Sequence, residues 1–447
     1  MERVAQLLDP QNEAFSYRQA LVRLWCLASD DQQLNRWEQV AAEKTIPPHV
    51  ASILNTLQDE KPIALDVANA NPLALIRALD DYLASTRLPT SQCTPASQLA
   101  HPFEEDGETY WLVPVTLAAR HFAKMNRQSA RKARWFHHHA VLPSRTAHGI
   151  EVTCAPARST LNACLQALAD LDQAKLKVWI AHFDDDADVV WDRTLSPVGN
   201  WRTLSVEPHE SRQATLVQTL VMAAQAGAHV VVFPEFTLDI QHRVELANHL
   251  RQNPSSIQLV VAGAFHAPPT LPPAAQTYNI APVFNANGSP LFEHRKLRLF
   301  GNSHVGTEFV EVGNQVHVLV TPIGCMTVLI CKDFLDEDPR VDNLLAEVPV
   351  DWVWVPSYGD QTTLHLHKQR AKKLAEVTTG TSCAVAQTQN TAMKNDGETQ
   401  ALLPGFGHAA GQKVPIDVPK AGGLVEFALD TQPLPSEPNR PKLKRVK

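Results

Sequence analysis

The chain has 447 residues, of which 44% are apolar and 19% charged. That is enough for two or three domains with buried cores, and it excludes a mini-protein and a mostly disordered chain. Lys plus Arg number 40 against 47 for Asp plus Glu, a net charge of −7, which disfavours a dedicated nucleic-acid binder for the chain as a whole, though not for a local patch.

In chain order, residues 15–29 and 72–85 read as helices, the second with Leu73, Leu75, Ile76, Leu79, Tyr82 and Leu83 at helical spacing. Residues 88–106 read as a loop, a short strand starts at Trp111, and 115–136 reads as a basic helix. The rhythm then changes. Residues 149–154 read as a strand, 159–174 as a helix and 177–182 as a strand, followed by an acidic loop at 184–188. From about residue 201 strands and helices alternate. There is a strand over 201–206, a helix over 210–226 ended by Gly227, a Val-rich strand over 228–233 and a strand over 258–265. A hairpin around Asn287-Gly288 joins 278–285 to 291–299. Strands follow over 315–321, 326–331, 352–356 and 383–387, with a helix over 364–378. This is an α/β pattern of two layered sheets. The tail, 431–447, carries four prolines and ends in a basic run, the composition of a disordered end.

No apolar run reaches the roughly 18 residues that a membrane span requires, and the first residues lack the pattern of a signal peptide. The seven cysteines form no CxxC pair. A reduced, cytoplasmic protein is expected, with Cys154 and Cys164 as buried structural thiols.

Three signals sit in or at the ends of predicted strands: Glu235 in Phe233-Pro-Glu235, Lys296 in His294-Arg-Lys296, and Cys331 in Leu329-Ile-Cys331-Lys-Asp333. Taken singly, each has an ordinary reading: a solvated loop acid, a lysine on the wet face of a strand, and a buried inert thiol. Together they supply a nucleophile, a base for its proton and a positive charge for a developing oxyanion.

Their order and contexts resemble the nitrilase superfamily, the carbon–nitrogen hydrolases with a Glu-Lys-Cys triad, over about residues 201–430. Val231-Val-Phe-Pro-Glu235 resembles the strand that presents the base. Tyr278-Asn279, Asn287-Gly288 and His294-Arg-Lys296 resemble the hairpin leading to the lysine. Leu329-Ile-Cys331-Lys-Asp333 resembles the nucleophile elbow, Gln369-Arg-Ala-Lys-Lys with 383–390 a late helix and strand, and 422–430 the closing strand. Glu308 and Gly313 resemble the glutamate and glycine between lysine and cysteine; Glu311 competes for that role, and the spacing to Gly313 favours Glu308.

The resemblance implies an αββα four-layer sandwich over 176–430. A mainly helical accessory domain of unknown role precedes it over 1–175, and the basic, Pro-rich tail over 431–447 follows. It implies hydrolysis of an amide or N-carbamoyl bond, less so a nitrile, in a small molecule. Cys331 attacks, Glu235 shuttles the proton, and Lys296 with the N–H of Lys332 stabilises the oxyanion. It implies no cofactor, no metal and a homo-oligomer. The family often has an aromatic or apolar residue where Lys332 stands, and the extra charge suits an anionic substrate. Specificity is expected in the loops 302–312, 333–341 and 358–367.

The N-terminal part matches no accessory domain. Arg120, Lys124, Arg127, Arg131, Lys132 and Arg134 form a basic run, for which a solvated helix face is preferred to a nucleic-acid surface. His137-His-His139 cannot aim three rings at one point, so a metal is not expected there. The alternatives are a nucleic-acid-associated or signalling effector, and a pseudoenzyme scaffold.

Overall fold

The computed structural model describes residues 2–9, 14–27, 48–70, 72–85, 101–114, 138–156, 159–169, 174–183, 188–195, 199–268, 276–302, 306–335, 341, 344–348, 350–378, 381–389, 404–410, 412, 414–419 and 422–429. The basic run 120–134, most of the acidic loop and the tail 431–447 lie outside the described residues.

The N-terminal helices Glu2–Leu7, Ala14–Leu27, Pro48–Gln58 and Pro72–Ser85 enclose one apolar core, and Leu65–Ala70 leaves Leu65 and Val67 exposed outside it. Pro72 opens its helix at the first helical position, where the missing N–H is not needed. The helix Pro48–Gln58, absent from the sequence reading, buries Val50, Ile53 and Leu57 at spacings of three and four. The loop expected over 88–106 is corrected at its end. β1 (His101–Glu105) pairs antiparallel with β2 (Glu108–Pro114) through Asp106-Gly107, both at positive φ, the two-residue turn that suits a hairpin's twist. β3 (His139–Pro143) completes this small sheet. Its strands alternate: Leu112 and Val141 enter the helical core, while Val113, Ala140 and Leu142 enter the core of the next layer. The N-terminal part is therefore joined to the rest by continuous apolar packing.

β4 (Glu151–Pro156), the helix Ser159–Ala169 and β5 (Lys175–Ile180) lead into the larger unit. β6 (Val189–Leu195) and β7 (Asn200–Val206) form a hairpin. The helix His209–Gln225, β8 (Val230–Val232), the helix Ile240–Gln252, β9 (Leu259–Val261) and β10 (Phe265–Ala267) follow. Next come β11 (Tyr278–Asn285), β12 (Pro290–Arg295), β13 (Gly301–Asn302) and β14 (Gly306–Glu308), then β15 (Gln315–Thr321) and β16 (Gly324–Val328). β17 (Trp352–Gly359), the helix Gln361–Lys372, β18 (Ser382–Gln389), β19 (Gly405–His408), β20 (Ile416–Asp417) and β21 (Gly423–Ala428) complete the chain.

One seven-stranded sheet runs β10-β11-β9-β8-β5-β21 with β12 beside β11, and a second runs β20-β19-β18-β17-β16-β15-β4. The sheets face each other. Val178, Ile180, Val230, Val232 and Val261 of the first meet Val328, Trp352, Trp354, Ala384 and Ala386 of the second in one core. The alternate residues point outward. Trp179, Val231 and Val260 pack under Leu216, Leu220, Leu246 and Leu250 of two helices, and Val353, Val355 and Val385 under Leu364 and Ala371 of a third. The order is helix, sheet, sheet, helix, so the chain adopts the expected αββα sandwich. β8 is all valine because both its faces are covered. β4 and the helix Ser159–Ala169, which the sequence reading places before residue 175, contribute to this unit: β4 lies parallel to β15, and Leu161 and Leu165 enter the core between the sheets. Cys154 is half-buried, whereas Cys164 is exposed, which corrects the reading of Cys164 as a buried thiol. No helix among the described residues is long and apolar enough to cross a membrane.

The single strand expected over 258–265 is two. Both β9 and β10 pair with β11, and the chain bends between them at Gly263, whose φ is +67°. A Cβ there would lie 2.2 Å from the Pro234 carbonyl oxygen. Bare backbone at this bend lets the Pro234-Glu235 segment approach, and Glu235 bridges to Ala264.

Candidate active site

Glu235 lies just beyond β8, at the carboxyl end of a parallel strand, where open α/β sheets place their sites. Its N–H donates to the Ser357 carbonyl of the second sheet at 3.1 Å, so the residue is fixed between the sheets. The next residue, Phe236, has φ +60°. Lys296 follows β12, and its N–H donates to Asn279 of β11 at 2.9 Å. Cys331 opens a 3₁₀ turn, Cys331–Phe334, after β16 rather than ending a strand, and its φ of +46° is strained for a residue with a Cβ.

One buried carboxylate ties two of these segments together. Asp333 accepts from the N–H of Leu297 at 3.0 Å, of Arg298 at 2.8 Å and of Ile330 at 3.3 Å. His294 Nε2 lies 3.2 Å from it. The residues flanking Lys296 and the turn carrying Cys331 thus share one anchor. On the other side, buried His367 lies with Nε2 3.2 Å from the Cys331 carbonyl oxygen. Burial pushes the His367 ring down to about 4, so it is the neutral donor of that bond.

Glu235, Lys296, Glu308 and Cys331 are all buried and come together. Lys296 Nζ lies 2.8 Å from Glu235 Oε1 and 3.0 Å from Glu308 Oε2. The Asn279 amide donates to the same two acids, at 2.8 Å to Glu235 and 2.7 Å to Glu308. Glu308 also accepts from the Phe300 N–H at 2.8 Å, and His266 Nε2 is 2.8 Å from its other oxygen. The Cys331 sulfur faces the Tyr358 carbonyl at 3.5 Å. Glu311 stays apart, partnering Tyr278 through an isolated backbone bridge, so Glu308 is the glutamate that reaches the lysine. Lys332 places its ammonium 5.1 Å over the Phe300 ring, a cation–π contact beside the cluster.

The two acids are not equivalent. Burial raises Glu235 to about 7; Lys296 opposes that rise and the charge of Glu308 adds to it. Burial also works against ionisation of Glu308, but Lys296, His266 and the Phe300 N–H outweigh it and hold this carboxyl well below the usual range. Burial lowers Lys296, yet its two carboxylates win and keep it charged. Burial, then Glu235, pushes the Cys331 thiol up to about 12 against the pull of Lys296. The resting group is therefore a thiol beside a carboxyl poised near neutrality, separated in proton affinity by environment as acid–base pairs require.

Residues 198–338 match the family model of the carbon–nitrogen hydrolases. The C-terminal half carries a carbon–nitrogen hydrolase domain. No curated protein matches the sequence. Among solved structures, Nit3 of Saccharomyces cerevisiae, a nitrilase-superfamily member, is 16% identical, with 57% of this chain and 90% of that one covered and a TM-score of 0.41. The glutamine-dependent NAD+ synthetase of Acinetobacter baumannii is 16% identical over 57% of this chain and 46% of that one, with a TM-score of 0.42. An amidase from Nesterenkonia sp. AN1 is 15% identical over 57% of this chain and 90% of that one, with a TM-score of 0.40.

Within the carbon–nitrogen hydrolase domain, sequence reasoning missed the roles of Asn279, His266, Asp333 and His367. Asn279 was visible in Tyr278-Asn279 and Asp333 in Cys331-Lys-Asp333, but neither run shows that the side chain turns inward. In the N-terminal part, His138 has its ligand atom close to those of Asp80 and Asp81. His139 Nδ1 lies 2.8 Å from Asp80 and His138 Nε2 3.0 Å from Asp81, which attaches β3 to the helix Pro72–Ser85. A second group, His209, Asp239 and His242, has its ligand atoms close together; there Asp239 caps the helix Ile240–Gln252 by accepting the His242 N–H.

Proposed function

We propose that this protein hydrolyses a non-peptide carbon–nitrogen bond in a small molecule, an amide or N-carbamoyl compound rather than a nitrile, through a thioester on Cys331. The observation that carries the reading is the buried cluster in which one lysine is shared by two unlike carboxyls beside a cysteine on a strained turn.

The thiol is a far weaker acid than the Glu235 carboxyl, so its proton leaves for Glu235 as the C–S bond forms and not before. The carbonyl oxygen gains the charge, and Lys296 with the N–H of Lys332 receives it. Glu235 passes the proton to the nitrogen, the C–N bond breaks, and ammonia or an amine leaves. A water then gives a proton to Glu235 and attacks the thioester; the C–S bond breaks, sulfur recovers the proton, and the acid is released. Glu308, held ionised, keeps Lys296 charged throughout. The Lys332 ammonium near the cluster suits an anionic substrate. Pairing of two copies and a cytoplasmic location belong to the same proposal.

Acid quenching during turnover of a panel of amides, N-carbamoyl compounds and nitriles, followed by peptide mass analysis, tests this reading. The expected result is a mass increase equal to the acyl group on the peptide containing Cys331. Turnover with an adduct elsewhere, or with none at any quench time under acyl-accumulating conditions, contradicts it.

A further inference from the structure

We propose that His266 is a positioning residue of this site: its Nε2–H fixes Glu308 in the orientation that shares Lys296 with Glu235. The inference rests on the hydrolytic reading above.

Both ring nitrogens of His266 are engaged. The Thr203 N–H, from β7, donates to Nδ1 at 2.8 Å. A backbone N–H has no lone pair to offer, so Nδ1 carries no proton and the tautomer is set. Nε2 must then bear the hydrogen and donate it to Glu308 Oε1 at 2.8 Å. The side chain is fully buried, and burial lowers its proton affinity, in keeping with a neutral donor. A neutral donor matters here. It holds the carboxylate without adding a cation to compete with Lys296.

The ring is clamped as well as bonded. It stacks on Trp201 at 5.7 Å and 27° and meets the edge of Phe236 at 5.1 Å and 78°. Trp201 is also the backbone partner of Glu308 in the pairing of β7 with β14. His266 therefore links the β6–β7 hairpin to the ion cluster, through Thr203 on one nitrogen and Glu308 on the other. Without its donor, Glu308 keeps the Asn279, Lys296 and Phe300 contacts, but its Oε1 side rests on Asn279 alone, an amide already shared with Glu235.

The test compares His266→Gln with His266→Met, two chains of similar length that differ in the amide donor. The readout is carbamidomethylation of Cys331 by iodoacetamide at pH 7, followed on its own peptide, with Glu235→Gln as the control and unfolding midpoints measured for each. His266→Met is expected to react roughly tenfold more slowly than wild type, and His266→Gln within about threefold of it, at equal midpoints. Hydrolysis of an amide should follow, with kcat falling in His266→Met and KM unchanged. Equal rates for His266→Met and wild type overturn the proposal, as does equal slowing of both variants, which would make the effect one of packing. If Glu235→Gln is slow while His266→Met is not, this inference alone falls. If Glu235→Gln reacts like wild type, the hydrolytic reading falls and the His266 proposal with it.

Discussion

Lys296→Met is expected to leave a protein that hydrolyses nothing measurable and unfolds more easily, the more so at high pH. Lys296 is the partner of two buried carboxylates, at 2.8 Å and 3.0 Å. Removing one member of a buried ion cluster leaves charge without compensation, at about 3–5 kcal/mol. Glu235 and Glu308 would then face each other through one Asn279 amide, and two carboxyls so placed do not both ionise. Their proton affinities rise above those in the unfolded chain. The sign follows: below the unfolded carboxyl range the variant approaches wild type, and as pH rises both acids resist ionisation in the fold and stability is lost. Urea unfolding at pH 5 and pH 8 measures this. On the activity side, loss of an oxyanion donor costs about 10²–10³-fold, and here the same side chain also sets the proton affinity of the base. A variant as stable as wild type at pH 8 would mean that the lysine and the acids do not share charge as described.

Glu235→Gln separates activity from stability in the opposite sense. Without the base, hydrolysis should fall by about 10²–10⁴-fold, and the acid limb of the pH profile, set in wild type by a carboxyl near 7, should vanish. The stability difference follows from the same group. Glu235 is raised by burial, so wild type loses stability as pH climbs from the ordinary carboxyl value to about 7, and the amide does not. The variant's stability relative to wild type should therefore rise between pH 4.5 and pH 7 and stay level above, by a few kcal/mol at most. A difference that is flat with pH would show that Glu235 ionises as freely in the fold as in the unfolded chain.

Glu235, Lys296 and Cys331, which the fold brings together, stand out in the sequence because each lies in a run with its own local logic. An apolar strand leads into Pro234-Glu235, Asn287-Gly288 forces the hairpin that delivers Lys296, and a buried strand gives way to a polar turn at Cys331. What it hides is set by residues distant in the chain. His266 acts through Thr203 and Glu308, and Asp333 through Leu297 and Arg298, and no spacing rule links such positions. The missed elements have physical reasons too. The helix Ile240–Gln252 is mostly polar, with Leu246 and Leu250 as its buried leucines, so its periodicity is faint. β1 is five residues long with Pro and Glu in it, and β6 carries Asp192 and Arg193 on a partly exposed edge. The split of the 258–265 strand turns on Gly263, whose demand for space comes from Pro234, outside any local window.

If Cys331 is the nucleophile, turnover depends on its sulfur. Ammonia release from the panel of amides, N-carbamoyl compounds and nitriles, compared between wild type and Cys331→Ala at equal folded concentration, tests it most directly. Wild type is expected to release ammonia from at least one amide or N-carbamoyl compound, and the variant to lose roughly 10³-fold or more of that rate. Equal release by both proteins would contradict it.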